Sequence, residues 1–157
     1  MASSSYNLAL LSIPAYYVLA LVPHAYAAYI ATRGNLSKHD NRNPHSAQYQ
    51  DKIKRSLNAK EYAAYERAKR CHQNALENMP LFVAAVFAGL MAERSAGAGS
   101  AGLNNFVVGW MGTRVVYTVN YLVTESRTWS NLRSAMYIVG VGWAFTVLGR
   151  AAYAVGA

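Results

Sequence analysis

The chain has 157 residues, room for one domain, and its balance of 54% hydrophobic to 14% charged residues excludes an ordinary soluble protein. Its net charge of +8 is concentrated, because ten of the fifteen Lys and Arg residues fall between Arg33 and Arg70. A basic stretch flanked closely by apolar spans is the positive-inside pattern of membrane proteins and speaks against nucleic acid as a partner. The mean hydropathy of +0.05 follows from that one polar stretch offsetting the apolar ones. From Tyr6 to Thr32 the sequence carries no formal charge and is long enough to cross a hydrocarbon core of about 30 Å. Pro14 and Pro23 should kink this helix. The missing basic segment ahead of it, and its length, argue against a cleaved signal peptide.

Arg33 to Asn58 reads as a polar connection, with turn chemistry at Gly34-Asn35 and Asn43-Pro44. Good helix formers resume at Ala59 and lead without a break into an apolar run to about Ala92, so one helix projects from the membrane and then enters it. Glu93 to Gly102 is a Gly/Ser/Ala turn, and Leu103 to Thr124 is a third span with Arg114 near its middle. A polar turn containing Glu125, Arg127 and Asn131 precedes a fourth span from about Leu132 to Tyr153. The expected fold is therefore an all-α integral membrane protein: one domain over residues 1–157, four transmembrane helices at about 6–32, 71–92, 103–124 and 132–153, and a cytosolic loop at about 33–70. Cys71 is the lone cysteine and reads as an inert, partly buried thiol.

Alternating helix direction brings three polar sets to one depth. Arg70, Asn74 and Glu77 are spaced i, i+4, i+7 on the second helix; Arg114, Tyr117 and Tyr121 are spaced i, i+3, i+7 on the third. Arg133, Ser134 and Tyr137 lie just inside the entry of the fourth. Charges at membrane depth are costly, so Glu77 and Arg114 are expected to turn from lipid and pair. Taken alone, such a pair need only fix helix register. The whole set outlines a cavity with excess positive charge, suited to a small anion with carboxylates for the arginines and an amine or amide for Glu77 and Asn74. Glutathione fits, as do other peptides or phosphates. His24, His39 and His45 show no metal-ligand spacing, and His72 lies off the polar stripe as a surface or interface histidine.

The pattern Glu66-x-x-x-Arg70-x-x-x-Asn74-x-x-Glu77-x-x-Pro80, followed by Arg114-x-x-Tyr117-x-x-x-Tyr121 and Arg133-Ser134-x-x-Tyr137, resembles the MAPEG superfamily, membrane-associated proteins in eicosanoid and glutathione metabolism. That resemblance implies a homotrimer of four-helix bundles in the endoplasmic reticulum or another intracellular membrane, with glutathione bent between subunits near the cytosolic face. It implies that Arg70, Asn74, Glu77, Tyr117, Tyr121 and Tyr137 hold the tripeptide, with Arg114 as a deep arginine of the same site. Arg133 matches the arginine that stabilises the glutathione thiolate, and Ser134 a neighbouring serine. The implied activity is glutathione transferase-like, with peroxidase or isomerase chemistry as variants, on a lipophilic electrophile from the bilayer. The alternative keeps the fold without glutathione chemistry, as a lipid-presenting protein or a biosynthetic isomerase or cyclase. Gln73 and Tyr117 depart from the prostaglandin E synthase pattern, which leaves eicosanoid specificity unsupported, and which of Arg33, Asn35 and Lys38 joins the site stays open.

Overall fold

The computed structural model describes residues 7–38, 40, 42–44 and 46–156, with every side chain among them but those of Lys38, Arg127, Thr128 and Ser130. Tyr6, where the first span is expected to start, and His39 and His45 lie outside the described residues. Helix α1 is Leu8–Ala31, α2 Ala47–Ser56, α3 Ala59–Ala96, α4 Leu103–Val123 and α5 Arg127–Gly156, with a 3₁₀ turn at Leu36–Lys38.

Asn7 starts α1 by accepting a hydrogen bond from the Leu10 amide at 3.0 Å. The helix buries Ala9, Ser12, Tyr16, Ala20, Pro23 and Ala27, a helical stripe of mostly small residues that lets α3 approach closely, while Leu8, Val18 and Val22 stay on the outside. It ends in a Schellman motif: the Gly34 amide bonds the Tyr29 carbonyl at 2.9 Å and the Arg33 amide the Ile30 carbonyl at 3.1 Å. Arg33 itself takes the left-handed position, φ 51°, where glycine is usual. Its guanidinium compensates by tying two other helices, donating to the Ser56 carbonyl at 2.7 Å and lying 3.7 Å from Glu61.

The connection after α1 is more structured than its polarity suggests. It contains α2, capped by Ser46 and held to α3 through Ile53 and Leu57, which pack with Ala27, Tyr65 and Ala68. Gln50 strengthens the contact, its Oε1 accepting from Lys69 Nζ at 2.9 Å and Tyr65 Oη at 3.1 Å. In the same connection Arg42 holds the Asp40 carboxyl down at about 2 by hydrogen bonding to both of its oxygens.

A reciprocal capping box between Asn58 and Glu61 opens α3. This helix is the centre of the molecule and packs against α1, α4 and α5. Tyr16, Phe82, Phe106 and Trp110 form the aromatic heart of the core; Phe82 stacks on Trp110 at 5.2 Å, and Tyr16 meets both edge-on. Pro80 cannot donate to the Leu76 carbonyl, and side chains bond two carbonyls of the turn ahead of it. Tyr16 Oη donates to the Ala75 carbonyl at 2.9 Å, and Asn78 Nδ2 to the Asn74 carbonyl at 2.6 Å. Close to Pro23, His72 Nδ1 lies 2.8 Å from the Ala20 carbonyl, with its ring 4.8 Å from that of His24. His72 is thus a half-buried link between α1 and α3.

Among the described residues, three stretches are long and apolar enough to cross a membrane: Leu8–Ala31, Ala59–Ala96 and Asn131–Gly156. Helix α4 has the length, but Asn104, Asn105, Arg114 and Asn120 reduce its apolarity. It crosses α5 where Gly109 faces Trp143 at close quarters. The expected bounds shift modestly: α3 runs on to Ala96, and α5 begins at Arg127, inside the stretch expected to be a turn.

Candidate functional site

Around this level of α3 the buried stripe includes Ala68, Cys71, Ala75, Asn78 and Phe82, and the stripe carrying Arg70, Asn74 and Glu77 runs one position behind it. That offset turns Arg70 and Glu77 to the outside of the bundle and leaves Asn74 at its edge. Asn74 Nδ2 donates to Tyr117 Oη at 2.8 Å, so the second and third helices meet through two of the expected residues. Tyr117 continues to Tyr121, ring centroids 5.5 Å apart, and the Arg133 guanidinium lies 4.2 Å from the Tyr121 ring.

Arg70, Tyr121 and Arg133 line one open groove of about 830 Å³. Lys60, Arg67, Glu66 and Glu125 complete its charged lining, so four cations face two carboxylates. A groove of that balance attracts anions. Arg67 Nη2 donates to Glu125 Oε1 at 3.2 Å within it.

The expected pairing of Glu77 with Arg114 does not form. Glu77 is exposed and accepts instead from Gln73 Nε2, one turn back on the same helix, at 3.0 Å. Arg114 is 2% exposed and stacked against aromatic faces, its guanidinium carbon 4.5 Å from the Trp110 ring and 5.6 Å from that of Tyr117. The reason is rotational: Glu77 sits on the outer stripe of α3, while Arg114 points between α3 and α5. Two of its nitrogens, Nε and Nη2, are buried without a hydrogen-bond partner. Buried guanidinium donors left open in this way fit an anionic group better than a purely structural role.

The remaining residues divide. Tyr137 is close enough to Arg114 to interact electrostatically, although half of its side chain is exposed. Ser134 is exposed on α5 and does not line the groove. Arg33 is engaged by Ser56 and Glu61, away from the groove, and Asn35 bonds Ser37. Cys71 is fully buried, in contact with Thr118 and within electrostatic reach of Arg133 and Arg114. No group of three or more potential metal ligands occurs among the described residues.

A model of the MAPEG family matches residues 10–155, nearly the whole chain. The chain belongs to the MAPEG family. Membership makes it an integral membrane protein of the glutathione and eicosanoid metabolism type, in a family that holds glutathione transferases, related enzymes and members that are not enzymes. None of the curated proteins and none of the solved structures matches it significantly. Within this MAPEG chain, sequence reasoning passed over Arg67 and Glu125. Arg67 precedes Arg70 by one helical turn, a spacing that marks the same face, but Glu125 needed the fold to bring the α4–α5 connection against α3.

Proposed function

We propose that this MAPEG protein is a glutathione-dependent enzyme, a transferase with peroxidase or isomerase chemistry as variants, acting on a lipophilic electrophile drawn from the bilayer. The observation that carries the reading is the chain of contacts from Asn74 to Tyr117, Tyr121 and Arg133, beside a cationic groove that Arg70 shares. In this reading all four long helices cross the membrane of an intracellular compartment, with the basic connection in the cytosol.

Glutathione carries two carboxylates, one amine and a thiol. The groove and the open donors of Arg114 supply partners for the carboxylates, and Glu77 and Asn74 for the amine and amide. Arg133, held over Tyr121, supplies a fixed positive charge for the sulfur. A guanidinium beside a thiol favours its anion, which is the nucleophile. The thiol proton goes to solvent first. The thiolate sulfur then forms its bond to the electrophilic carbon as the carbon–leaving-group bond breaks and the leaving group departs with that electron pair. At an activated double bond the π pair instead moves to the neighbouring atom, which takes a proton from water. Because Arg70 and Glu77 point out of the single bundle, a second copy of the chain covering that face would complete the site, consistent with a homotrimer.

Substituting Arg133→Leu tests the chemistry. Turnover of a lipophilic electrophile by the purified protein should fall by about 100-fold, of the order seen when one charge stabilising a developing anion is lost, while glutathione affinity changes far less. Unchanged turnover would sink the assignment.

A further inference from the structure

The groove holds one contact that its anion-binding role does not explain. Arg67 is mostly buried, its side chain 20% exposed, and donates through Nη2 to the carboxylate of Glu125, which is 57% exposed. Arg67 Nε is buried with no partner. A guanidinium can offer a carboxylate two parallel donors. Here Glu125 takes one, and the second donor is left open in a place where water does not reach it. Glu125 belongs to the three-residue connection between α4 and α5, so its carboxylate can withdraw without moving either helix. Both residues also line a neighbouring groove of about 660 Å³ with Tyr26 and Trp129, so the pair stands between two spaces.

We propose that Arg67 is a carboxylate-binding residue of the cationic groove and that Glu125 is its built-in occupant, displaced when the carboxylate of a ligand arrives. The inference rests on the anionic-ligand reading of the groove and deepens it. With its carboxylate more than half exposed and bound through a single donor, the pair is held weakly and is partly screened by salt. An incoming carboxylate that uses both nitrogens therefore competes effectively, and the cost of displacing Glu125 appears as a several-fold loss of affinity. Glu125 sets a threshold: neutral ligands gain nothing by its removal, and carboxylates do.

The test is equilibrium binding to the full chain in detergent, at low and high salt, for wild type, Glu125→Gln, Arg67→Gln and the double variant. Glutathione and inorganic phosphate are both used as probes. Removing the Glu125 charge should tighten glutathione about three- to five-fold at low salt. The gain should shrink at high salt, vanish in the Arg67→Gln background and be absent for glutathione dimethyl ester, which lacks both carboxylates. Affinity of Glu125→Gln indistinguishable from wild type, or a gain that persists without Arg67, overturns the proposal. Glu125 is exposed and glutamine nearly isosteric, so this variant decides the matter even if Arg67→Gln does not fold. The two probes separate the two readings. If no variant binds glutathione but phosphate, an oxyanion that can take the same two donors, tightens with Glu125→Gln only when Arg67 is present, the displacement of Glu125 stands and the glutathione assignment falls. If glutathione binds wild type and Glu125→Gln equally, the assignment stands and the proposal falls.

Discussion

The crossing of α4 and α5 makes a steric prediction that depends on no ligand. A Cβ on Gly109 would lie 2.0 Å from Trp143 Cζ3 and 2.2 Å from Cη2, far inside contact distance. In Gly109→Ala the indole must therefore swing by more than an ångström. Trp143 is half-buried and packed against the main core cluster, so the movement uncovers apolar surface. Overpacking of this kind costs about 1–3 kcal/mol. Against it stands the better helix propensity of alanine, about 1 kcal/mol. The net change against wild type is a loss of up to about 2 kcal/mol, a fall in melting temperature of up to roughly 8 °C for a chain of this size. The full cost of about 1–3 kcal/mol appears against a glycine-to-alanine change elsewhere on the helix that brings no clash. Thermal unfolding of the detergent-solubilised protein reads it, with Gly112→Ala as the comparison, because a Cβ at Gly112 meets nothing within 4 Å of the chain. A Gly109→Ala variant as stable as Gly112→Ala would refute the packing. So would an equal loss in a Trp143→Leu background, where the clash is gone.

Further outcomes follow from single contacts. Tyr117→Phe removes the acceptor of Asn74 Nδ2 and should weaken glutathione binding about fivefold, as expected for one hydrogen bond of about 1 kcal/mol; an unchanged Kd by titration calorimetry counts against the Asn74–Tyr117 link in the site. Tyr16→Phe deletes the donor to the Ala75 carbonyl ahead of Pro80 and should cost about 1–2 kcal/mol in the melting curve, with no more than a modest effect on ligand affinity. The Asp40 carboxyl is depressed to about 2 from 3.8, so its bond with Arg42 is present above pH 4 and lost as pH falls through 2. The pair lies at the surface, with the Arg42 side chain 91% exposed, so Asp40→Asn should leave the melting temperature unchanged at pH 7.

Sequence and structure part company at specific places. The start of α3 at Ala59, its unbroken length and the polar residues along α4 were legible because each is a local pattern of helix propensity or helical period. Helix α2 was not, since AQYQDKIKRS offers only Ile53 and a cap to set against its polarity, and its stability comes from α1 and α3. The Glu77–Arg114 pairing failed for a related reason. Spacing fixes which residues share a face but not how far each helix is rotated toward its neighbours. A rotation of one position on α3 exchanges Cys71 and Ala75 for Arg70 and Asn74. The His24–His72 contact and the Arg67–Glu125 pair likewise depend on how helices far apart in sequence come together, which no periodicity reports.

That rotation also bears on how the site works. With Ala68, Cys71, Ala75 and Phe82 turned to the core, α3 gives its buried face to the other long helices and leaves the neighbouring stripe on the outside of the bundle. Polar groups placed there avoid the cost of burial within one bundle and remain free to take up partners when the face is covered. Arg114 is the exception, buried within the chain with two donors open. It sits on the same helix as Tyr117 and within electrostatic reach of Tyr137 on α5, so it joins the inner wall of the bundle to the outer stripe through Tyr117 and Asn74. Substituting Arg114→Met should separate structure from binding. If Arg114 only fixes helix register, the apolar replacement leaves stability equal or higher, as removal of buried charge often does, and ligand affinity unchanged. If it holds an anionic ligand, the protein melts no lower than wild type but loses most of its stabilisation by glutathione.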